Sequence, residues 1–365
     1  MVLKNLWRRR TRTLLTVAGI SIGTAVVVAL LLLANGLIGQ MTNLVSSGGA
    51  EITLMQAGIA DTSFSALDDN VGLAVAGMPD VQWVSGLLFQ IVQVGEKRFF
   101  VSMGLDPEAE ALRHFRVLEG RMLQAAGEMM LGRMAADFFG EGVGDTLTIQ
   151  NRALRIVGVY ETGVSFENAG GVMTLGEAQE LFKKPDQVTL YQVKVRPEAL
   201  HKVEALIEDI ETRFPEVQAY RSSETAQNMP DIQAFQTLAG AMSFIGLLAG
   251  ALGTMNTMLM SVYERTREIG TLRALGWRKR RVVGMILGES LALGLIGGLI
   301  GVGLGVGLAL LVSAVPALSG YFVPQLDLGG ITTGLGVALT LGALGGLYPA
   351  WRAARLQPVE ALRYE

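Results

Sequence analysis

Residues 264–281 read ERTREIGTLRALGWRKRR. Ile269, Leu272 and Leu275 place apolar groups along a short helical stretch amid charges, Trp277 follows, and Arg278, Lys279, Arg280 and Arg281 close the segment as a basic knot. The fold is decided by what flanks it: two runs nearly free of charge, Phe235–Val262 before and Val282–Val315 after. Each exceeds the roughly 20 apolar residues an α-helix needs to cross about 30 Å of hydrocarbon. Leu14–Leu37 and Leu328–Ala350 are two more runs of this kind, and together they predict four transmembrane helices. The third run is long enough to tilt or to end in a turn near Pro316.

Composition agrees with a membrane protein. Half of the 365 residues are hydrophobic and only 17% are charged, outside the balance of an ordinary soluble enzyme. Cysteine is absent, which excludes a disulfide framework, a thiolate metal site, a catalytic thiol and a lipidated cysteine. The two histidines, His114 and His201, are far apart in polar surroundings and are read as surface residues. No metal site is expected.

The basic residues set the orientation. Lys4, Arg8, Arg9, Arg10 and Arg12 precede the first span, seven basic residues lie in 264–281, and Arg352, Arg355 and Arg363 follow the fourth, whereas Pro316–Leu326 has none. The positive-inside rule then puts both termini and the 264–281 loop of a multi-pass membrane protein in the cytoplasm. The long segment from 40 to 234 falls outside, and its 15 basic and 27 acidic residues give it a net charge of −12. That acidity argues against nucleic acid as a partner. The first apolar run is longer than a signal-peptide core of about 7–15 residues and no A-x-A-like site follows it, so it is read as a retained anchor.

The expected layout is a cytoplasmic segment at 1–13, spans at 14–39, 235–263, 282–315 and 328–350, and a cytoplasmic loop at 264–281. An extracytoplasmic domain occupies 40–234, a short outer loop 316–327 and a cytoplasmic tail 351–365. Within 40–234, alternating patterns predict strands at Glu51–Gln56, Leu87–Val94, Arg98–Met103, Thr146–Gln150, Leu154–Tyr160 and Thr189–Val195. Helical patterns fall at Arg133–Phe139, Leu175–Leu181 and Glu198–Phe214, the last with Leu200, Val203, Leu206, Ile207 and Ile210 on one face. No regular βαβ rhythm appears, so the fold class is a four-helix membrane protein with an inserted α+β extracytoplasmic domain.

Gly19-Ile20-Ser21-Ile22-Gly23 matches a nucleophile elbow on paper, but it lies inside an apolar helix with no histidine on any span, which favours helix packing. Gly297, Gly301 and Gly305 form a ridge of small residues that permits close backbone approach, within the bundle or across a subunit interface. Glu289 is the only acid inside a span and must face the bundle or water, a hydrogen-bonding role rather than an ion relay. For the 264–281 loop, spacing supports two readings equally: an anchor on lipid phosphates and a helix that docks a soluble partner. No Gly-Lys dipeptide occurs anywhere, so a phosphate-binding loop of the G-x-x-x-x-G-K-[ST] type is excluded. No catalytic constellation is found, and the chain is read as non-catalytic.

At this point the residues resemble a family. Glu264–Glu289, the glycine-rich span after it, and the ending Tyr348-Pro349-Ala350 through Pro358-Val359-Glu360-Ala361-Leu362-Arg363-Tyr364-Glu365 are similar to the MacB/LolC/FtsX-like permeases of ABC transporters. In the outer domain Leu118-Glu119-Gly120-Arg121, Gly127-Glu128, Leu131-Gly132, Val143-Gly144-Asp145 and Val157-Gly158-Val159-Tyr160 resemble the MacB-type periplasmic core.

The resemblance implies two permease copies, or this chain and a paralogue, working with a cytoplasmic ABC ATPase dimer that binds ATP and Mg, and in some systems with an extracytoplasmic adaptor. It implies that 264–281 is a coupling helix, with Ile269, Leu272 and Leu275 as packing anchors on the ATPase and Arg267, Glu268 and Arg273 as polar contacts. It also implies that Leu3, Leu6 and Trp7 form an amphipathic helix on the membrane's inner face and, with Arg278–Arg281, hold the membrane surface. Because the fused ATPase of the MacB subfamily is not in this sequence, the ATPase is expected as a separate chain. The implied function is export or extraction of an amphipathic substrate by mechanotransmission. The alternative is a transmitter that moves no substrate and activates an extracytoplasmic hydrolase or sensor.

Overall fold

A computed structural model of the chain describes residues 10–94, 98–315, 320 and 322–357. It divides into two compact units, one drawn from Met1–Ala34, Thr237–Leu311 and Pro324–Glu365, the other from Asn35–Gln236 and Val312–Val323. In chain order, α1 (Arg10–Val45) leads into the inserted unit of β1 (Ile52–Gln56), β2 (Leu67–Asp68), α2 (Asp69–Ala76), β3 (Val81–Val94), β4 (Arg98–Leu105), β5 (Arg116–Gly120), β6 (Glu128–Gly132), α3 (Arg133–Phe139), β7 (Thr146–Ile149), β8 (Arg152–Glu161), α4 (Ser165–Asn168), β9 (Gly171–Thr174), α5 (Leu175–Leu181), β10 (Gln187–Val188), β11 (Leu190–Val195), α6 (Val203–Arg213), β12 (Val217–Arg221) and α7 (Ser222–Asn228). Then follow α8 (Pro230–Glu264), α9 (Thr266–Ala274), α10 (Lys279–Ser313) and α11 (Leu328–Ala354).

The inserted unit is built on a ten-stranded mixed sheet in the order β12-β1-β11-β3-β4-β9-β6-β8-β5, with β7 on β8, while β10 pairs with β2 apart from it. The pairs β4–β9 and β6–β8 are parallel. The long strand β3 joins the two halves, because Val81–Leu87 pairs with β11 and Leu88–Val94 with β4. Separate apolar cores lie in the two halves: Ile52, Leu54, Val193 and Ile210 in one, Phe100, Met129, Leu131 and Ile156 in the other.

β6 and β9 carry no alternation in the sequence because every residue of MMLG and GVMT is buried, and a strand covered on both faces has no polar side to mark its period. The motif around Gly120 acquires a physical reason here. Gly120 takes φ +76°, and a Cβ there would lie 2.2 Å from the Val157 carbonyl oxygen, so no L-side chain fits. The predicted helix Glu198–Phe214 is two elements, a 3-10 stretch Pro197–Lys202 and then α6. The tighter winding rotates Leu200 off the buried stripe, and it is 46% exposed while Val203, Leu206 and Ile210 are buried. A second correction concerns His114, expected at the surface. Its Nε2 lies 3.1 Å from the buried Glu167 carboxylate and its side chain is largely covered.

The other unit holds most of the four helices that are long and apolar enough to cross a membrane. α1 is the helix on which the others pack: 61% of its most apolar window is buried, against 11% in α8. The glycine ridge of α10 faces α1 inside this one chain. A Cβ at Gly297 would lie 2.8 Å from Ile20 Cβ, at Gly301 2.7 Å from the Ser21 carbonyl oxygen, and at Gly305 2.8 Å from the Ala25 carbonyl oxygen. Ser21, the serine of the apparent nucleophile elbow, donates its hydroxyl to the Gly297 carbonyl at 2.9 Å. On its other side α10 meets α11 by the same device, Gly294 against Ala338 and Gly342. With lipid outside and no hydrophobic drive between helices, such close backbone contact is what holds the bundle.

Candidate functional site

The segment between the second and third long helices folds as α9, a nine-residue helix with a buried side and a bare one. Thr266, Ile269 and Gly270 are buried, and Ile269 joins Ile20, Met258, Val262, Val282 and Ile286 in the core of the bundle. The expectation that Ile269 anchors a partner is therefore corrected, since at 2% exposure it serves the chain's own packing. Leu275 is 75% exposed, and Arg267, Glu268, Thr271 and Ala274 are exposed beside it, with Leu272 half-buried.

α9 ends for a definable reason. Gly276 adopts φ +90°, its amide donates to the Arg273 carbonyl at 3.1 Å, and the Trp277 amide donates to the Leu272 carbonyl at 3.1 Å. These two bonds are the Schellman pattern, which satisfies the last carbonyls and needs a left-handed residue at the turn. Arg273, expected to reach outward, folds back instead, its Nη1 donating to the Trp277 carbonyl at 3.1 Å, a favourable place for a cation at a helix C-terminus.

Arg265, the residue before α9, was not singled out by the sequence reading. Its Nη1 donates to Glu289 Oε2 of α10 at 3.0 Å, and its Nε to Glu268 at 3.3 Å. Both members of the Arg265–Glu289 pair are largely covered, with side chains 15% and 10% exposed. The signal in the sequence was Glu289 itself, since an acid in a span requires a partner, but the preceding loop offers seven basic residues and Arg265 is the one farthest from Glu289 along the chain. The pair fixes α9 to α10 at one end while Ile269 fixes it in the middle.

The basic knot Arg278, Lys279, Arg280 and Arg281 is exposed around the first turn of α10. Arg352 of α11 lies over the Tyr263 ring at 4.7 Å, and Arg355 over Trp351 at 3.9 Å, so cations and aromatic rings gather at this end of the bundle as they do at a membrane–water interface. Leu3, Leu6 and Trp7 lie outside the described residues, as does the tail from Pro358. Glu289, Gly297, Gly301 and Gly305 are all turned into the bundle.

A sequence model described as the MacB-like periplasmic core domain matches residues 13–213, and one described as the FtsX-like permease C-terminal matches residues 240–358. A macrolide export ATP-binding/permease protein of Bdellovibrio bacteriovorus is 29% identical over 98% of this chain and 60% of its own length. A pyoverdine export ATP-binding/permease protein of Pseudomonas savastanoi is 30% identical over 99% of this chain and 58% of its own. An uncharacterized ABC transporter permease of Methanocaldococcus jannaschii is 28% identical over 99% of this chain and 96% of its own. The chain thus spans about 60% of the length of the two export proteins. Among solved structures, the periplasmic region of MacB from Actinobacillus actinomycetemcomitans aligns with 52% of this chain and 97% of that one, at 14% identity and a TM-score of 0.41.

Proposed function

We propose a function on one premise: the chain belongs to the ABC transporter permease family that joins a MacB-like periplasmic core domain to an FtsX-like permease C-terminal. In our reading it is the membrane component of an exporter, α9 is its coupling helix, and a cytoplasmic ATPase seats against the bare side of α9. The observation that carries this is the split character of the helix, with Ile269 and Arg265 locked into the bundle and Leu275 left 75% exposed beside Arg267 and Glu268. A helix gripped on one side moves with α10, so force applied to its free side reaches the long helices. The sequence holds no phosphate-binding loop of the G-x-x-x-x-G-K-[ST] type, and in this reading ATP and Mg bind in an ATPase outside these residues. Both termini and the 264–281 loop are cytoplasmic in this reading, with the inserted unit across the membrane from them, and a second permease copy completes the complex. Neither macrolide nor pyoverdine is assigned here as substrate.

The experiment is co-purification of the tagged chain from its native membrane, comparing wild type with a Leu272→Asp, Leu275→Asp variant. A P-loop ATPase that co-elutes with wild type and is lost from the variant supports the reading; retention in full by a folded variant sinks it. A permease that moves substrate also shows ATPase activity stimulated by that substrate, whereas a transmitter shows activation only by its partner.

A further inference from the structure

The inserted unit contains an open cleft of about 490 Å³ between α2, the first half of β3 and the segment Asp106–Glu110. Cavities of roughly 300–1,000 Å³ are the size that takes a small organic ligand. Its wall along β3 is the consecutive run Trp83–Gly86. β11 pairs with this half of the strand, and β4 pairs with β3 only from Leu88 onward, so among the described residues Trp83–Gly86 has a strand partner on one side only. Gly72 and Gly86 make room for the Tyr191 ring in the floor: a Cβ at Gly72 would lie 2.5 Å from Tyr191 Cε1, and one at Gly86 3.1 Å from the same atom.

Two features mark the cleft as built for a ligand of definite charge. Among the described residues its lining includes Asp69, Asp106, Glu108 and Glu110 and no lysine or arginine. Glu110 is paired with Arg113 at 2.7 Å, while the Asp69 carboxylate accepts the Tyr191 hydroxyl at 3.3 Å. Burial, reinforced by the neighbouring Asp186 and Asp68, holds the Asp69 carboxyl above its usual range despite that hydrogen bond. The second feature is Ser85, which lines the wall, is 4% exposed, and has a hydroxyl that finds no hydrogen-bond partner among the described residues. A buried polar group left unpaired is costly, and a ligand polar atom is one way to satisfy it.

We propose that this cleft binds an organic cation with an apolar body, its positive charge among Asp69, Asp106 and Glu108 and its apolar part against Trp83 and Leu73. Trp83 adds the attraction of an aromatic face for a cation, and Leu73, 73% exposed at the rim, gives apolar surface that water now covers. The role of this ligand as transported substrate rests on the exporter reading; its binding does not, because the cleft lies wholly within the inserted unit and needs no ATPase.

The test uses the full chain in lipid nanodiscs and equilibrium dialysis of radiolabelled tetraphenylphosphonium, with empty nanodiscs subtracted and radiolabelled tetraphenylborate, the anion of matching shape, dialysed in a separate experiment. Expected is one saturable site per chain for the cation, weakened by about tenfold or more in an Asp69→Asn, Asp106→Asn, Glu108→Gln variant, and no saturable binding of tetraphenylborate. Leu73→Gln, at an exposed position, provides the same reading if the triple variant does not fold. Equal binding by wild type and variants overturns the proposal, as does equal saturable binding of tetraphenylborate. Displacement of the probe by an uncharged alternating Ser-Leu heptapeptide at tenfold lower concentration also overturns it, assigning the open strand edge to a polypeptide.

Discussion

A carboxylate inside an apolar helix must face water or find a cation, and Glu289 finds Arg265 at 3.0 Å. The pair gains little by comparison with two apolar residues of similar volume, since both charges give up hydration to form it, but removing one partner strands the other. Glu289→Ala is therefore expected to destabilise the bundle by about 3–5 kcal/mol, and Glu289→Gln by less, because it still accepts a hydrogen bond from the guanidinium. An Arg265→Leu, Glu289→Leu double variant is expected to lose less than the two single losses combined, as interacting residues do. Reversible unfolding of the purified chain in mixed micelles measures all of these. Additive losses in the double variant would show that the two side chains do not depend on each other.

At the scale of elements, the long helices differ less in hydropathy than in which of their glycines touch something. Gly301 abuts the Ser21 carbonyl and Thr24 Cβ, both fixed parts of α1, while two residues on Gly303 has nothing within 4 Å of its missing Cβ. Gly301→Ala forces α1 and α10 apart and is expected to cost about 1–3 kcal/mol. Gly303→Ala meets no neighbour and is expected to be neutral or to gain up to about 1 kcal/mol from lower backbone entropy in the unfolded chain. Thermal unfolding of the two variants side by side checks this, and the same loss in both would mean that the ridge is not the contact. The four spans were legible in the sequence because a bilayer imposes length and apolarity together, and so was the glycine ridge as a pattern. Its partner was not legible, because four-residue spacing marks a face of a helix without saying what lies against it. The residues expected to dock a partner show the same limit: Ile269, Leu272 and Leu275 all read as apolar groups among charges, and only the packing of α9 reveals that Ile269 turns inward while Leu275 turns out. Runs buried on both faces, such as Met129–Gly132 of β6 and the whole of β9, left no period to find.

For the whole molecule, the proposed mechanism requires one orientation, and the charge distribution favours it. The segment from 40 to 234 carries a net charge of −12, whereas the 264–281 loop alone holds seven basic residues, and short basic loops are retained on the cytoplasmic side. If the exporter reading holds, the ATPase can reach α9 only from that side, and the cleft lined by Asp69 and Trp83 opens on the other. The absence of cysteine makes this directly measurable, because any single introduced cysteine is the only thiol in the chain. Glu208 on α6 and Arg278 at the start of α10 are both exposed, so Glu208→Cys and Arg278→Cys report on the two units with little disturbance. In spheroplasts, a membrane-impermeant maleimide is expected to label Glu208→Cys at once and Arg278→Cys only after the membrane is opened. The reverse order would put the basic loop outside, where no ATP is available, and mechanotransmission from a cytoplasmic ATPase would have no route into this chain.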